Sequence, residues 1–161
     1  MYDIRTFIAL TLPPDIHGHL SDVIRSLKRE IGDRVVRWVA ADNIHLTLKF
    51  LGEIPGKNIP QLAVNLGECA ITHSPFALAV QGLGAFPRIN KPRVIWVGIS
   101  ESKELMLLQK QIEQNTRQLG YEAEDRPFSA HLLLLPNFGA FNFCQISAYF
   151  STHFGVIFIY I

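Results

Sequence analysis

Two short segments constrain this chain more than any others: Ile44-His45-Leu46-Thr47-Leu48-Lys49-Phe50 and, in the second half, His131-Leu132-Leu133-Leu134. In each, a histidine opens a short apolar run that reads as a β-strand. Side chains alternate across a strand, so Ile44, Leu46, Leu48 and Phe50 share one face and His45, Thr47 and Lys49 the other. The first face is wholly apolar and calls for a packed core. The second carries an acid/base that titrates near neutrality, a hydroxyl donor and a cation, a set suited to holding an anion in a groove. Two such strands would bring two imidazoles to one substrate.

The segments around them repeat in outline. Thr6 to Leu12 reads as a strand stopped by Pro13-Pro14. A helix follows, with Ile16, Leu20, Val23, Ile24, Leu27 and Ile31 at helical spacing and Gly32 past its end. Val35 to Val39 is a short strand, Ala41 to Asn43 a turn, and Ile44 to Leu51 the first histidine strand. Gly52 to Lys57 reads as a loop, Ile59 to Ile71 as a helix and Phe76 to Leu83 as a strand. Gly84 to Arg93 reads as a loop bearing Arg88, Lys91 and Arg93. Val94 to Ile99 is a strand, Leu105, Leu108, Ile112 and Leu119 mark a helix closed by Gly120, and Ser129 to Leu135 is the second histidine strand. Phe7 to His45 spans 38 residues and Ile95 to His131 spans 36. That period fits a duplicated α+β unit, not a solenoid, which wants three or more copies. Two copies facing each other would form a cleft with one histidine on each wall.

Length and charge narrow the class. At 161 residues the chain is one domain with enough material for a core, and its net charge of +1 gives no general field for a long nucleic-acid duplex. A strand end or a small phosphate needs no such field. Cys69 and Cys144 form no C-x-x-C pattern and read as reduced thiols. The first residues lack the layout of a signal peptide, and no segment approaches the ~20 apolar residues of a spanning helix. A cytoplasmic protein with no membrane contact is the expectation. The sequence holds no G-x-S-x-G, Walker, H-E-x-x-H or G-x-G-x-x-G motif. His17 and His19 read as solvated on the first helix, His73 lies in a turn, and no histidine spacing suggests a metal site.

The end of the chain differs from the rest. From Pro127 to Ile161 there is no Asp, Glu, Lys or Arg, and Phe154 to Ile161 is apolar and β-prone. Residues 136–161 are set apart as an atypical C-terminal segment. A truncated or frame-altered end and a diverged terminal strand both remain open.

The chain resembles the two-histidine phosphoesterase superfamily, in its RNA 2′,3′-cyclic phosphodiesterase (2′-5′ RNA ligase) branch. The resemblance rests on Phe7-Ile8-Ala9-Leu10, Val36-Arg37-Trp38-Val39, Asn43 to Gly52, Gly82 to Pro87, Pro92 to Gly98 and Asp125 to Leu132, in that order. It implies one bilobed α+β domain over 1–161, duplicated, with two mainly antiparallel sheets around a central groove and helices outside. It also implies metal-independent opening of a terminal cyclic phosphate to a 2′-phosphate, with no cofactor. His45 and Thr47 match the first family motif in full. His131 matches the second, but Leu133 stands where the family carries threonine, and Pro136 stands near the place of a usual basic residue.

The function so implied is a cyclic phosphodiesterase acting on RNA ends as a monomer. His131 is assigned as base and His45 as acid, Thr47 donates to the phosphate, and Arg88, Lys91, Arg93 and Arg126 are candidates for steering the strand. Phe50 and Phe86 are read as core residues rather than base-stacking platforms. One rival is a catalytically impaired RNA-end or phosphate binder derived from this family, motivated by Leu133 and the altered tail. Another is a sister enzyme acting on a small cyclic phosphate. Turnover discriminates the first two.

Overall fold

A computed structural model describes residues 2–31, 38–88, 91–135 and 157–160. The described elements make an α+β fold with antiparallel strand pairing. In chain order they are β1 (Asp3–Thr11), α1 (Pro14–Ile31), β2 (His45–Pro55), α2 (Ile59–Ala70), β3 (Ala77–Arg88), β4 (Lys91–Ile99), α3 (Lys103–Gln118), β5 (His131–Leu135) and β6 (Ile157–Tyr160). Single turns of 3-10 helix at Ala41–Asn43 and Gly56–Asn58 precede β2 and α2. The chain divides into two compact units: residues 1–10, 47–76 and 101–129, and residues 11–46, 77–100 and 130–161.

In the first unit β1 lies beside β2, and α2 and α3 pack on each other. Helix α3 starts where Ser102 caps it, its hydroxyl accepting from the Leu105 amide at 3.1 Å. The helix buries Leu105, Leu108, Ile112 and Thr116. The Glu104 carboxyl, hydrogen-bonded to its own backbone amide and to Ser102, is held below its ordinary pKa. Cys69 is buried, which pushes its thiol up.

The second unit holds α1 and the strands in the order β5-β4-β3-β6, with the start of β2 on the outer side of β5. Helix α1 buries Ile16, Leu20, Val23, Ile24 and Leu27, the stripe its periodicity predicts. Ile95, Val97, Leu132 and Leu134 are fully buried in the strands. The terminal apolar run finds a partner: β6 pairs with Ala77–Val80 of β3 in continuous register.

Several boundaries differ from the sequence reading. The segment Gly84 to Arg93, expected as a loop, is mostly an antiparallel hairpin in which Arg88 faces Lys91. Backbone pairing outweighs the glycines and prolines there, and two register shifts absorb the mismatch. Gln81 and Gly82 together oppose Gly98, with Gly82 at φ +76°, and Arg93 is the extra residue of the second bulge. Likewise β2 runs on to Pro55 through the expected Gly52–Lys57 loop. The expected strand at Val35–Val39, most of the atypical segment 136–161, Cys144 and His153 lie wholly or mainly outside the described residues.

Candidate active site

His45 stands at the first position of β2 because a short hydrogen-bonded turn delivers it there. The Asn43 amide donates to the Ala40 carbonyl and the Ile44 amide to the Ala41 carbonyl, each at 2.9 Å, closing the 3-10 turn. Nδ1 of His45 donates to the Asn43 carbonyl at 2.9 Å. A carbonyl only accepts, so Nδ1 carries the proton in the neutral ring and Nε2 holds the lone pair. The turn is tied in turn to α1: half-buried His17 donates from Nδ1 to the Ala41 carbonyl at 2.8 Å. Expected to be solvated, His17 is instead the link between helix α1 and the histidine strand. Its place on the first turns of the helix hid this, because the sequence does not show which loop the helix packs against.

The second histidine is set by the strands beside it. Leu46 of β2 pairs with Leu132 of β5, and both are buried. Paired residues share a face, so alternation turns His45 and Thr47 on β2, and His131 and Leu133 on β5, to the opposite face. Continuing that register by one residue sets His45 across from Leu133. His131 is then its diagonal neighbour, a relation that spans about 7–8 Å in antiparallel sheets.

On its other side β5 pairs with β4, with Gly98 opposite His131 and Trp96 opposite Leu133. Gly98 leaves room where any side chain would collide: a Cβ there would lie 2.7 Å from the Gln81 carbonyl oxygen. The His131 ring meets Phe86 edge-on, centroids 5.3 Å apart at 76°, and Trp96 at 5.8 Å. Phe86 and Trp96 contact each other at 5.5 Å. The Trp96 indole N–H is buried without a hydrogen-bond partner among the described residues. Phe86 was expected in the core; it is 41% exposed. Its strand face, shared with Trp96 and His131, decides this, and hydrophobicity alone could not.

Of the expected basic residues, Arg88 is exposed at the end of β3, its Cα opposite that of Lys91. Arg93 is exposed at its bulge. Arg126 is exposed in the segment between α3 and β5 and belongs to the first unit, whereas His45 and His131 belong to the second. Thr47, half-buried, follows His45 on the same face of β2. Lys49 corrects the opening expectation. It is 1% exposed, its Nζ bonded to Glu113 at 2.7 Å and to the Glu122 carbonyl at 2.9 Å. An ammonium so committed holds α3 and the chain beyond it to β2; it does not face a bound anion. Phe50 also leaves the apolar face: it is exposed and stands 6.2 Å from the Phe7 ring, while its amide donates to the Glu124 carboxylate.

Residues 10–96 match the model of the LigT-like phosphoesterase family. The chain belongs to that family. It is 33% identical over 129 residues to a protein of Archaeoglobus fulgidus named RNA 2′,3′-cyclic phosphodiesterase, covering 80% of this chain and 70% of that one. A Thermotoga maritima protein of the same name is 33% identical over 132 residues, covering 81% and 68%. The crystal structure of E. coli LigT complexed with 3′-AMP is similar with a TM-score of 0.69 at 30% identity, covering 86% of this chain and 76% of that one. Among the described residues no helix is long and apolar enough to cross a membrane.

Proposed function

We propose that this protein is an RNA 2′,3′-cyclic phosphodiesterase, a hydrolase that opens a terminal cyclic phosphate to a 2′-phosphate by two-histidine acid/base catalysis. One observation carries the reading: the Leu46–Leu132 pairing gives His45 and His131 a common sheet face, in a chain of this family. His131 takes a proton from water as the water oxygen attacks phosphorus. The bond from phosphorus to the 3′ oxygen breaks, and His45, entering the step protonated on both ring nitrogens, gives its Nε2 proton to that oxygen. The bond from Nδ1 of His45 to Asn43 supports the second step, since it aims Nε2 away from the turn. Thr47 donates to a non-bridging phosphate oxygen, and Arg88, Lys91, Arg93 and Arg126 draw in the RNA end. The reading takes residues 1–161 as one duplicated, bilobed domain acting as a monomer in the cytoplasm without metal or cofactor. Strand β6 (Ile157–Tyr160) adds to it by its pairing at β3.

Incubation with adenosine 2′,3′-cyclic phosphate and with an RNA carrying that terminus tests the proposal. A 2′-phosphate product is expected by phosphorus NMR. His45→Ala and His131→Ala should each remove most turnover, and the double variant should be little worse because the pair acts as a unit. An intact substrate, a 3′-phosphate product, or a single variant with near-parent activity would overturn it. Leu133 favours one second reading, an impaired binder of RNA ends, because it turns an aliphatic side chain to the histidine face. Binding of 2′,3′-cyclic-phosphate RNA without turnover would mark that case.

A further inference from the structure

We infer that Phe86 is the platform on which the terminal nucleobase of the substrate stacks, with Trp96 as its backing. The inference rests on the cyclic-phosphodiesterase reading and deepens it by assigning a base subsite. The Phe86 ring is 41% exposed, so a ligand can reach its face. Phe86 is not isolated on the surface. It lies on the strand face of Trp96 and His131, and its ring is fixed by both: 5.5 Å from the indole and 5.3 Å, edge-on, from the imidazole. The backing is rigid because Trp96 lies directly over Gly84, where a Cβ would sit 2.0 Å from the indole ring. A nucleoside cyclic phosphate is itself a phosphate and a base joined through one ribose. With its phosphate at the His131 imidazole, its base reaches a neighbouring aromatic of this kind. Stacking on a ring face tolerates any base.

Phe86 also touches His131, so a loss of activity alone would not separate a platform from a prop for the imidazole. An abasic substrate does. Steady-state kinetics of the parent, Phe86→Ala, Phe86→Leu and Phe86→Tyr should be measured with adenosine 2′,3′-cyclic phosphate and with the 1-deoxyribose 2,3-cyclic phosphate that lacks the base. For the base-bearing substrate, Phe86→Ala and Phe86→Leu should lower kcat/KM about ten-fold or more, mostly through KM, and Phe86→Tyr should restore it. For the abasic substrate all four proteins should agree within about two-fold. Equal losses on both substrates would overturn the platform and make Phe86 a support of His131, and unchanged kinetics on both would overturn it too. If the parent opens neither compound, the phosphodiesterase reading fails by itself and binding decides the platform. Adenosine 2′-phosphate should then bind the parent more tightly than ribose 2-phosphate, and Phe86→Ala should erase the difference. Equal affinity of the parent for the two would refute it.

Discussion

Gly84→Ala and Gly67→Ala are the same chemical change in opposite environments, and the structure predicts effects of opposite sign. At Gly84 an added Cβ would lie 2.0, 2.3 and 2.4 Å from Cζ2, Cη2 and Cε2 of Trp96. No real contact is that short, so the indole must rotate, and Phe86 and His131 occupy two of its sides. Overpacking of a fixed site costs about 1–3 kcal/mol. For a chain of this size about 1 kcal/mol moves Tm by roughly 2–4 °C, so Gly84→Ala should lower Tm by about 2–12 °C. The displaced ring pushes on the imidazole, and misplacing a catalytic group by about 1 Å costs on the order of 100-fold in rate. Gly67 lies within α2 with nothing within 4 Å of its missing Cβ. There alanine should stabilise by about 0.4–1 kcal/mol and leave turnover alone. Thermal unfolding followed by near-ultraviolet circular dichroism, which reports the packing of the two tryptophans, would be read beside kcat/KM on a cyclic-phosphate dinucleotide. A Gly84→Ala protein with parental Tm and parental activity would show that Trp96 does not rest on Gly84, and the account of how His131 is held would fall with it.

Four further outcomes are expected. The rate should rise and then fall across about pH 5–8, since the base imidazole must lose its proton and the acid imidazole must keep one; a flat profile over that range refutes two-histidine catalysis. Activity should survive EDTA, because the mechanism assigns no step to a metal; loss of turnover restored by a divalent ion would contradict this. His17→Ala should lower kcat several-fold with little change in KM, and His17→Asn, whose amide can replace the Nδ1 donor to the Ala41 carbonyl, should recover most of it; equal defects would deny His17 a positioning role. Leu133→Thr should raise turnover about ten-fold, since a missing donor to a developing oxyanion costs on the order of 3 kcal/mol; an unchanged rate in a folded protein would show that Leu133 does not line the substrate.

How far the sequence could be read depended on which physical rule governed each element. The helices were legible because their cores follow one periodicity: Leu20, Val23, Ile24 and Leu27 are buried where a 3.6-residue repeat puts them. The alternation in β2 was legible from Ile44 to Leu48 for the same reason, and with it the facing of His45. It failed at Lys49 and Phe50, where a partner distant in sequence decided the outcome. Glu113 is 64 residues from Lys49, and no local pattern announces that its carboxylate will draw the ammonium inside. Strands at Phe76–Leu83 and Val94–Ile99 are legible, but Gly84–Arg93 between them reads as a loop because local turn signals say nothing of the strand opposite. Two bulges let Gly82 and Arg93 stay within a continuous ladder, and only pairing reveals a bulge. The same limit hid the surroundings of His131. Gly98, Gly84, Trp96 and Phe86 lie in segments that carry the family resemblance, yet only cross-strand register shows that Gly98 lies against the Gln81 carbonyl, that Gly84 is a seat for the indole, and that Trp96 and Phe86 are aromatic neighbours of the imidazole. The residues proposed to carry chemistry are named from types and spacing, whereas their neighbours are set by long-range pairing, which only the fold displays.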